Sequence, residues 1–228
     1  AIHAYGEAFD AASNEAIMSQ QIDILDYQFV DWILGEEGTS TNVFSSSEQN
    51  IITEYLEAGR FLFISGSEIG YDLENQGSNA DKSFYHNYLK SDYISDAAGG
   101  HQGVYSGYGM ENSIFSGIEN INYDDGNYGT YNVDWPDGIK PLGGASFCAA
   151  FSGVDYNNAG GMGIEYTGTF GLSSLAGGIV HLSVGFEAIY PESKRDEIMY
   201  KIINNYESQL SINSNTDILP STLKITNI

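Results

Sequence analysis

The sequence predicts an α/β fold: a mainly parallel sheet flanked by helices, with a β-rich insertion around residues 100–171. Three observations predict it. A strand–helix–strand unit spans residues 26–64, so its two strands should be parallel neighbours joined by a right-handed crossover. A late apolar run, GGIVHLSVGFEAI, precedes a long amphipathic helix. Between these parts, residues 100–171 change texture to glycines, aromatics and short alternating runs.

Each element has its own reason. Asp26–Leu34, DYQFVDWIL, carries Phe29, Val30, Trp32, Ile33 and Leu34 and stops at Gly35-Glu36-Glu37, which reads as a strand. Residues 45–59, SSSEQNIITEYLEAG, read as a helix. Ser45 and Glu48 have capping-box spacing, Ile51, Ile52, Tyr55 and Leu56 form an apolar stripe, and Gly59 is a C-terminal stop. The run Phe61–Ile64 follows at once and is apolar at every position, the mark of a strand buried on both faces. A second helix is expected over Lys82–Lys90, with Phe84, Tyr88 and Leu89 inward. In the β-rich stretch, GVYSGYG, IFSGI, GTYNVDW and GMGIEYTG are short strand candidates, and Asp125-Gly126 is a hairpin signal. The last helix runs from about Pro191, a good first helical position, to Leu210, with Ile198, Ile202, Ile203, Tyr206 and Leu210 as its stripe. Residues 1–210 thus form one domain, and residues 211–228 read as a linker or the start of a following domain.

The chain of 228 residues is 42% hydrophobic, enough for a real core. Its net charge is −23, from 31 acidic and 8 basic residues, and Arg60 is the first lysine or arginine. That balance argues against nucleic acid and anionic membrane surfaces, which need clustered basic residues. It suits solubility, cation binding or saline surroundings. No apolar run reaches the length of a membrane span, so no membrane insertion is expected, and none reads as a signal peptide. The one cysteine, Cys148, rules out an intrachain disulfide and sits in the small apolar run GGASFCAAFSG, where it reads as a buried hydrophobe. Abundant tyrosine (17) and glycine (27) with few lysines give the composition of a secreted or cell-surface protein.

Ligands of open α/β sheets sit beyond the carboxyl ends of the strands. The segment Gly59–Leu73, GRFLFISGSEIGYDL, therefore places Ser65, Ser67, Glu68 and Asp72 where a site would be. Glu36 and Glu37 end the preceding parallel strand and Glu187 ends the late one, so all should converge on one edge. Three readings stay open. The carboxylates can simply cap helices and clamp loops. They can bind a hard cation such as calcium through Glu36, Glu68 and Glu187, or act as an acid/base pair on a sugar. Alternatively, Ser67, Glu68 and Glu187 can form a hydrolase site, although Ser65-Gly66-Ser67-Glu68-Ile69 lacks the second glycine of a nucleophile elbow. Glu36, Glu37, Asp72, Tyr131 and Trp135 are the expected ligand contacts; aromatic faces stack on sugar rings, although the aromatics of this β-rich stretch also read as half-buried filler.

The succession WILGEE, EQ, YLEAGRFLFISGSEIGYDL, DKSFYHNYL and FEAI resembles the class I glutamine amidotransferase-like group. It is most similar to the ThuA-like, flavodoxin-like modules of secreted bacterial multidomain proteins often labelled xanthan lyase-like. The resemblance covers most of residues 1–207. It implies a strand and helix upstream of Ala1, so that either the sequence is a trimmed fragment or the sheet is completed by something outside it. It also implies a link to polysaccharide or cell-surface material, with other domains of the same polypeptide as partners. The chain departs from the enzymes of that group. Gly66-Ser67-Glu68 replaces the elbow cysteine, and His181 lies inside the late strand, where packing should fix it. The expected function is therefore a non-amidotransferase accessory or degenerate module. The alternatives are a serine- or carboxylate-dependent hydrolase of carbohydrate esters or amides, and a structural interaction domain of a surface assembly.

Overall fold

The computed structural model describes residues 1–35, 37–38, 42–213 and 223–226. In chain order it forms α1 (Ile2–Tyr5), β1 (Phe9–Ala12), α2 (Asn14–Met18), β2 (Phe29–Ile33), α3 (Ser46–Glu57), β3 (Phe61–Ser65), α4 (Asn79–Asn87), β4 (Ser91–Ser95) and β5 (Ser106–Gly109). Next come β6 (Ile121–Tyr123), β7 (Gly138–Pro141), β8 (Ser146–Phe151), α5 (Tyr156–Ala159), β9 (Gly163–Thr169), β10 (Ala176–Leu182), β11 (Ile189–Tyr190), α6 (Glu192–Asn213) and β12 (Leu223–Thr226).

The protein is mixed α/β. Ten strands make one sheet in the order β1-β12-β2-β3-β10-β9-β8-β5-β6-β11. β2 and β3 pair in parallel, Phe29 opposite Phe61, as one short capped crossover helix requires. β3 pairs in parallel with β10, and β12 and β1 continue the parallel half. From β10 onward the direction alternates: β9, β8, β5, β6 and β11 each add antiparallel. The mainly parallel sheet of the sequence reading is therefore corrected to a sheet parallel on one side and antiparallel on the other.

The β-rich stretch is not a separate insertion either. Four of its strands extend the main sheet, and β7 pairs with β4 in a second, two-stranded sheet. Its glycine-rich strands stack by antiparallel pairing between segments distant in the chain, such as Gly107 with Phe151, which a single apolar-run pattern does not reveal.

The helix boundaries follow their caps. Ser45 Oγ accepts from Glu48 N at 3.3 Å, and the Glu48 carboxylate accepts from Ser45 N at 2.7 Å. Gly59, one residue past the Ala58 C-cap of α3, takes φ +75°. α4 starts earlier than Lys82 because Ser78 and Asp81 form a second capping box, unread in the sequence. The Asp125-Gly126 signal yields an Asx-rich loop rather than a regular hairpin. The Asp124 carboxylate collects the amides of Gly126, Tyr128 and Thr130, leaving a single bridge from Asp125 to Asn132. The late apolar run is strand only to Leu182; beyond it, Phe186–Ala188 is a 3-10 turn and β11 joins β6. Of residues 211–228, those at 214–222, 227 and 228 lie outside the described residues, and Leu223–Thr226 runs between β1 and β2.

Side-chain alternation splits the core in two. Phe29, Phe61, Phe63, Val180 and Leu182 pack with Ile198, Ile202, Ile203 and Tyr206 of α6 on one face. Val30, Trp32, Leu62, Ile64 and Ile179 pack with Ile52, Tyr55 and Leu56 of α3 on the other. Burial of both faces explains the unbroken apolar run in β3. It also buries Asp31 fully, on the α6 face that it shares with Phe29.

Candidate functional site

The carboxyl ends of β2, β3 and β10 lie side by side, so the segments after them share one edge. β3 opens into Gly66-Ser67-Glu68 and then into a π-helical turn, Tyr71–Gln76. Ser67 and Glu68 are each only 7% exposed. Gly38 presses on Glu68: a Cβ added at Gly38 would lie 2.4 Å from Glu68 Cβ, and its φ is +125°. The turn after β2 therefore needs glycine there and closes directly over the elbow.

A strap from the β-rich half crosses this edge. Tyr131 donates a short hydrogen bond to Glu187 Oε1. Asp137 N donates to the Ser67 carbonyl at 2.9 Å. Asp137 Oδ2 accepts from Gly70 N at 2.7 Å and Tyr71 N at 3.1 Å, so this fully buried carboxyl caps the helical turn behind the elbow. Between those anchors Trp135 is 41% exposed. Tyr131 and Trp135, expected as ligand contacts, are thus carried on a segment pinned at both ends to the carboxyl edge.

The edge is acidic, and burial raises several of its carboxyls. Glu68 is pushed up to about 7, chiefly by burial and then by the nearby charges of Asp96 and Asp134. Asp31 is pushed up to about 8 by burial and then by Glu187. Burial and Glu68 raise Asp137 well above the usual aspartate range. Glu37 is raised by burial, then by Glu48 and Glu15. Asp72 accepts from Val43 N at 2.8 Å and so holds the loop before α3. Glu36 lies outside the described residues.

Among the described residues, Glu68 and Glu187 do not belong to one three-ligand group; the group with metal-like spacing is Glu74, His86 and Asp92.

The histidine and the cysteine of the late segments are both buried in the fold. His181 is fully buried, and its Nδ1 lies 2.8 Å from Ser91 Oγ. The Ser91 hydroxyl donates to the Leu89 carbonyl at 3.0 Å, so the shared proton belongs to His181 Nδ1. Burial drops His181 to about 3, which keeps it neutral. It is committed to β4 rather than to Ser67. Cys148 is fully buried, and burial raises its thiol well above the usual range. A cavity of about 450 Å³ lies elsewhere, between α6, Glu165 and Asn112–Ile114.

Asp31, Asp96, Asp134 and Asp137 were not singled out in the sequence. Asp31 carried a readable signal, an acid in the middle of the apolar run FVDWI; Asp137 carried none.

No family model matches the chain, and no curated protein matches it. Solved structures give distant similarities. A cold-adapted β-galactosidase from Rahnella sp. R3 matches at 12% identity and TM-score 0.47, over 83% of this chain and 24% of that one. Gan42B, a GH42 β-galactosidase, matches at 12% identity and TM-score 0.48, over 84% and 23%. The mmIFT52 N-terminal domain matches at 11% identity and TM-score 0.46, over 89% and 84%. The chain spans about a quarter of the galactosidases' length. None of the three reaches a TM-score of 0.5, and nothing of their activity or assembly is carried over.

Proposed function

We propose that this chain is a glycan-binding accessory module of a secreted or cell-surface protein, on an amidotransferase-like scaffold that has no amidotransferase chemistry. One observation carries the reading. The Tyr131–Asp137 strap holds an exposed Trp135 over an edge rich in hydrogen-bonding carboxyls, while Cys148 and His181 are buried away from Ser67. An indole face beside fixed polar groups suits a sugar ring, whose axial hydrogens stack and whose hydroxyls bond in the plane.

Affinity electrophoresis in gels containing soluble bacterial and plant polysaccharides tests the reading. At least one polysaccharide should retard the protein. Trp135→Ala should weaken that retardation about tenfold, the equivalent of about 1.4 kcal/mol, with an unchanged melting temperature. Unretarded migration in every gel would remove the proposal.

A second reading rests on Glu68. A carboxyl that titrates near 7 in a buried turn suits a general acid. Stoichiometric labelling of Ser67 by a fluorophosphonate, absent in Ser67→Ala, or glycan hydrolysis abolished by Glu68→Gln, would replace the binding module with a hydrolase.

A further inference from the structure

Behind the elbow, three side chains from three elements meet. Glu74 comes from the π-helical turn after β3, His86 from the last turn of α4, and Asp92 from β4. His86 Nε2 lies 3.0 Å from Glu74 Oε1 and 3.9 Å from Asp92 Oδ1. The two carboxyls also face each other closely enough to hydrogen-bond. All three ligand atoms fall within 4.8 Å of one another.

The geometry does not favour a simple ion pair. His86 Nε2 is shielded from solvent, yet Glu74 Oε1 lies off the line of its N–H and completes no hydrogen bond with it. Lone pairs side by side at about 3.0–3.5 Å are what two ligands show when each sits about 2.1 Å from a common centre. The second Glu74 oxygen is already oriented, because Oε2 accepts from Tyr93 N at 2.7 Å. Such outer hydrogen bonds hold a ligating carboxylate in place. His86 and Asp92 side chains are 36% exposed, so water can complete the coordination. Lys140, opposite Asp92 across the β4–β7 ladder, is the neighbouring cation and shares Asp92's charge.

We propose that Glu74, His86 and Asp92 form a binding site for a divalent first-row transition metal of the zinc class. One imidazole nitrogen with two carboxylates suits that class; calcium and magnesium take oxygen ligands and gain little from a histidine. Bound there, the ion ties together the turn after the elbow, α4 and β4. It lies outside the glycan edge and is independent of the function proposed for it.

The test uses the intact chain, stripped with EDTA and dialysed into non-chelating buffer at pH 7.5. Calorimetric titration with zinc chloride should show one ion per chain at micromolar or tighter Kd, with a raised melting temperature that EDTA reverses. Calcium chloride should bind at least tenfold more weakly. His86→Ala should weaken zinc binding at least tenfold. Asp92→Asn, a substitution at a partly exposed strand position, should do the same and covers the case in which His86→Ala fails to fold. Absence of saturable one-to-one binding would overturn the site. So would unchanged affinity in both variants, which would put the zinc on an exposed histidine such as His3 or His101.

Discussion

Replacing Asp31 with asparagine should stabilise the protein by an amount that grows with pH. Asp31 sits in the middle of β2, fully buried, with its pKa raised from 3.8 to about 8 by burial and by Glu187. The sign follows from proton counting. Below about pH 4 the carboxyl is protonated in both folded and unfolded chains and contributes no difference. Between about 4 and 8 the unfolded chain ionises while the folded one keeps its proton. The folded state then binds more protons, and stability falls by about 1.4 kcal/mol per pH unit. At pH 7, roughly three units above the unfolded value, the loss reaches about 4 kcal/mol. Asparagine has the same size and an acceptor oxygen but never ionises. The stability difference between Asp31→Asn and the parent should therefore be small at pH 4, about 4 kcal/mol at pH 7, and level above pH 8. Urea unfolding followed by tryptophan fluorescence from pH 4 to 8.5 measures it, since Trp32 is fully buried in the same strand. Glu68, raised to about 7, gives the same sign. His181, lowered to about 3, gives the opposite one: its contribution is complete above 6.5 and is lost as pH falls towards 3. Both are present in parent and variant and cancel in the difference. A pH-independent difference would refute the reasoning.

The remaining predictions concern the strap and the thiol. Asp137→Ala leaves the amides of Gly70 and Tyr71 without their buried acceptor and should cost roughly 2–5 kcal/mol in urea denaturation. Asp137→Asn keeps an acceptor oxygen and should cost less than about 1.5 kcal/mol; equal losses would contradict the capping role. Cys148 should stay unreactive towards a thiol reagent until denaturant is added, and glutamine hydrolysis sensitive to Cys148→Ala would contradict its burial.

Local chemistry made much of the parallel half legible. Ser45, Glu48 and Gly59 bound α3 through contacts within a few residues, and the apolar run Phe61–Ile64 implied a strand covered on both faces, which α3 and α6 do cover. The carboxyl edge was legible as a location, because strand direction alone sets where Ser67 and Glu68 fall, whereas Glu187 sits in a 3-10 turn beyond the end of β10. The antiparallel half was not legible. Its short glycine-rich strands carry no pattern naming a partner, and β5 pairs with β6 and β8 through backbone groups common to every residue.

The same division holds at the candidate site. Sequence by itself determined that an acidic, cysteine-free elbow follows β3 and that His181 lies within a strand, because residue type and strand period act over neighbouring positions. Only the tertiary structure decided which carboxyl caps that elbow. Asp137 reaches Gly70 and Tyr71 across 66 or more positions of chain. Likewise, Glu74, His86 and Asp92 meet only because a turn, a helix and a strand fold back on one another. Burial did the rest: the same carboxyl that would be charged in water holds its proton at Asp31, since desolvation depends on what surrounds a side chain and not on its name.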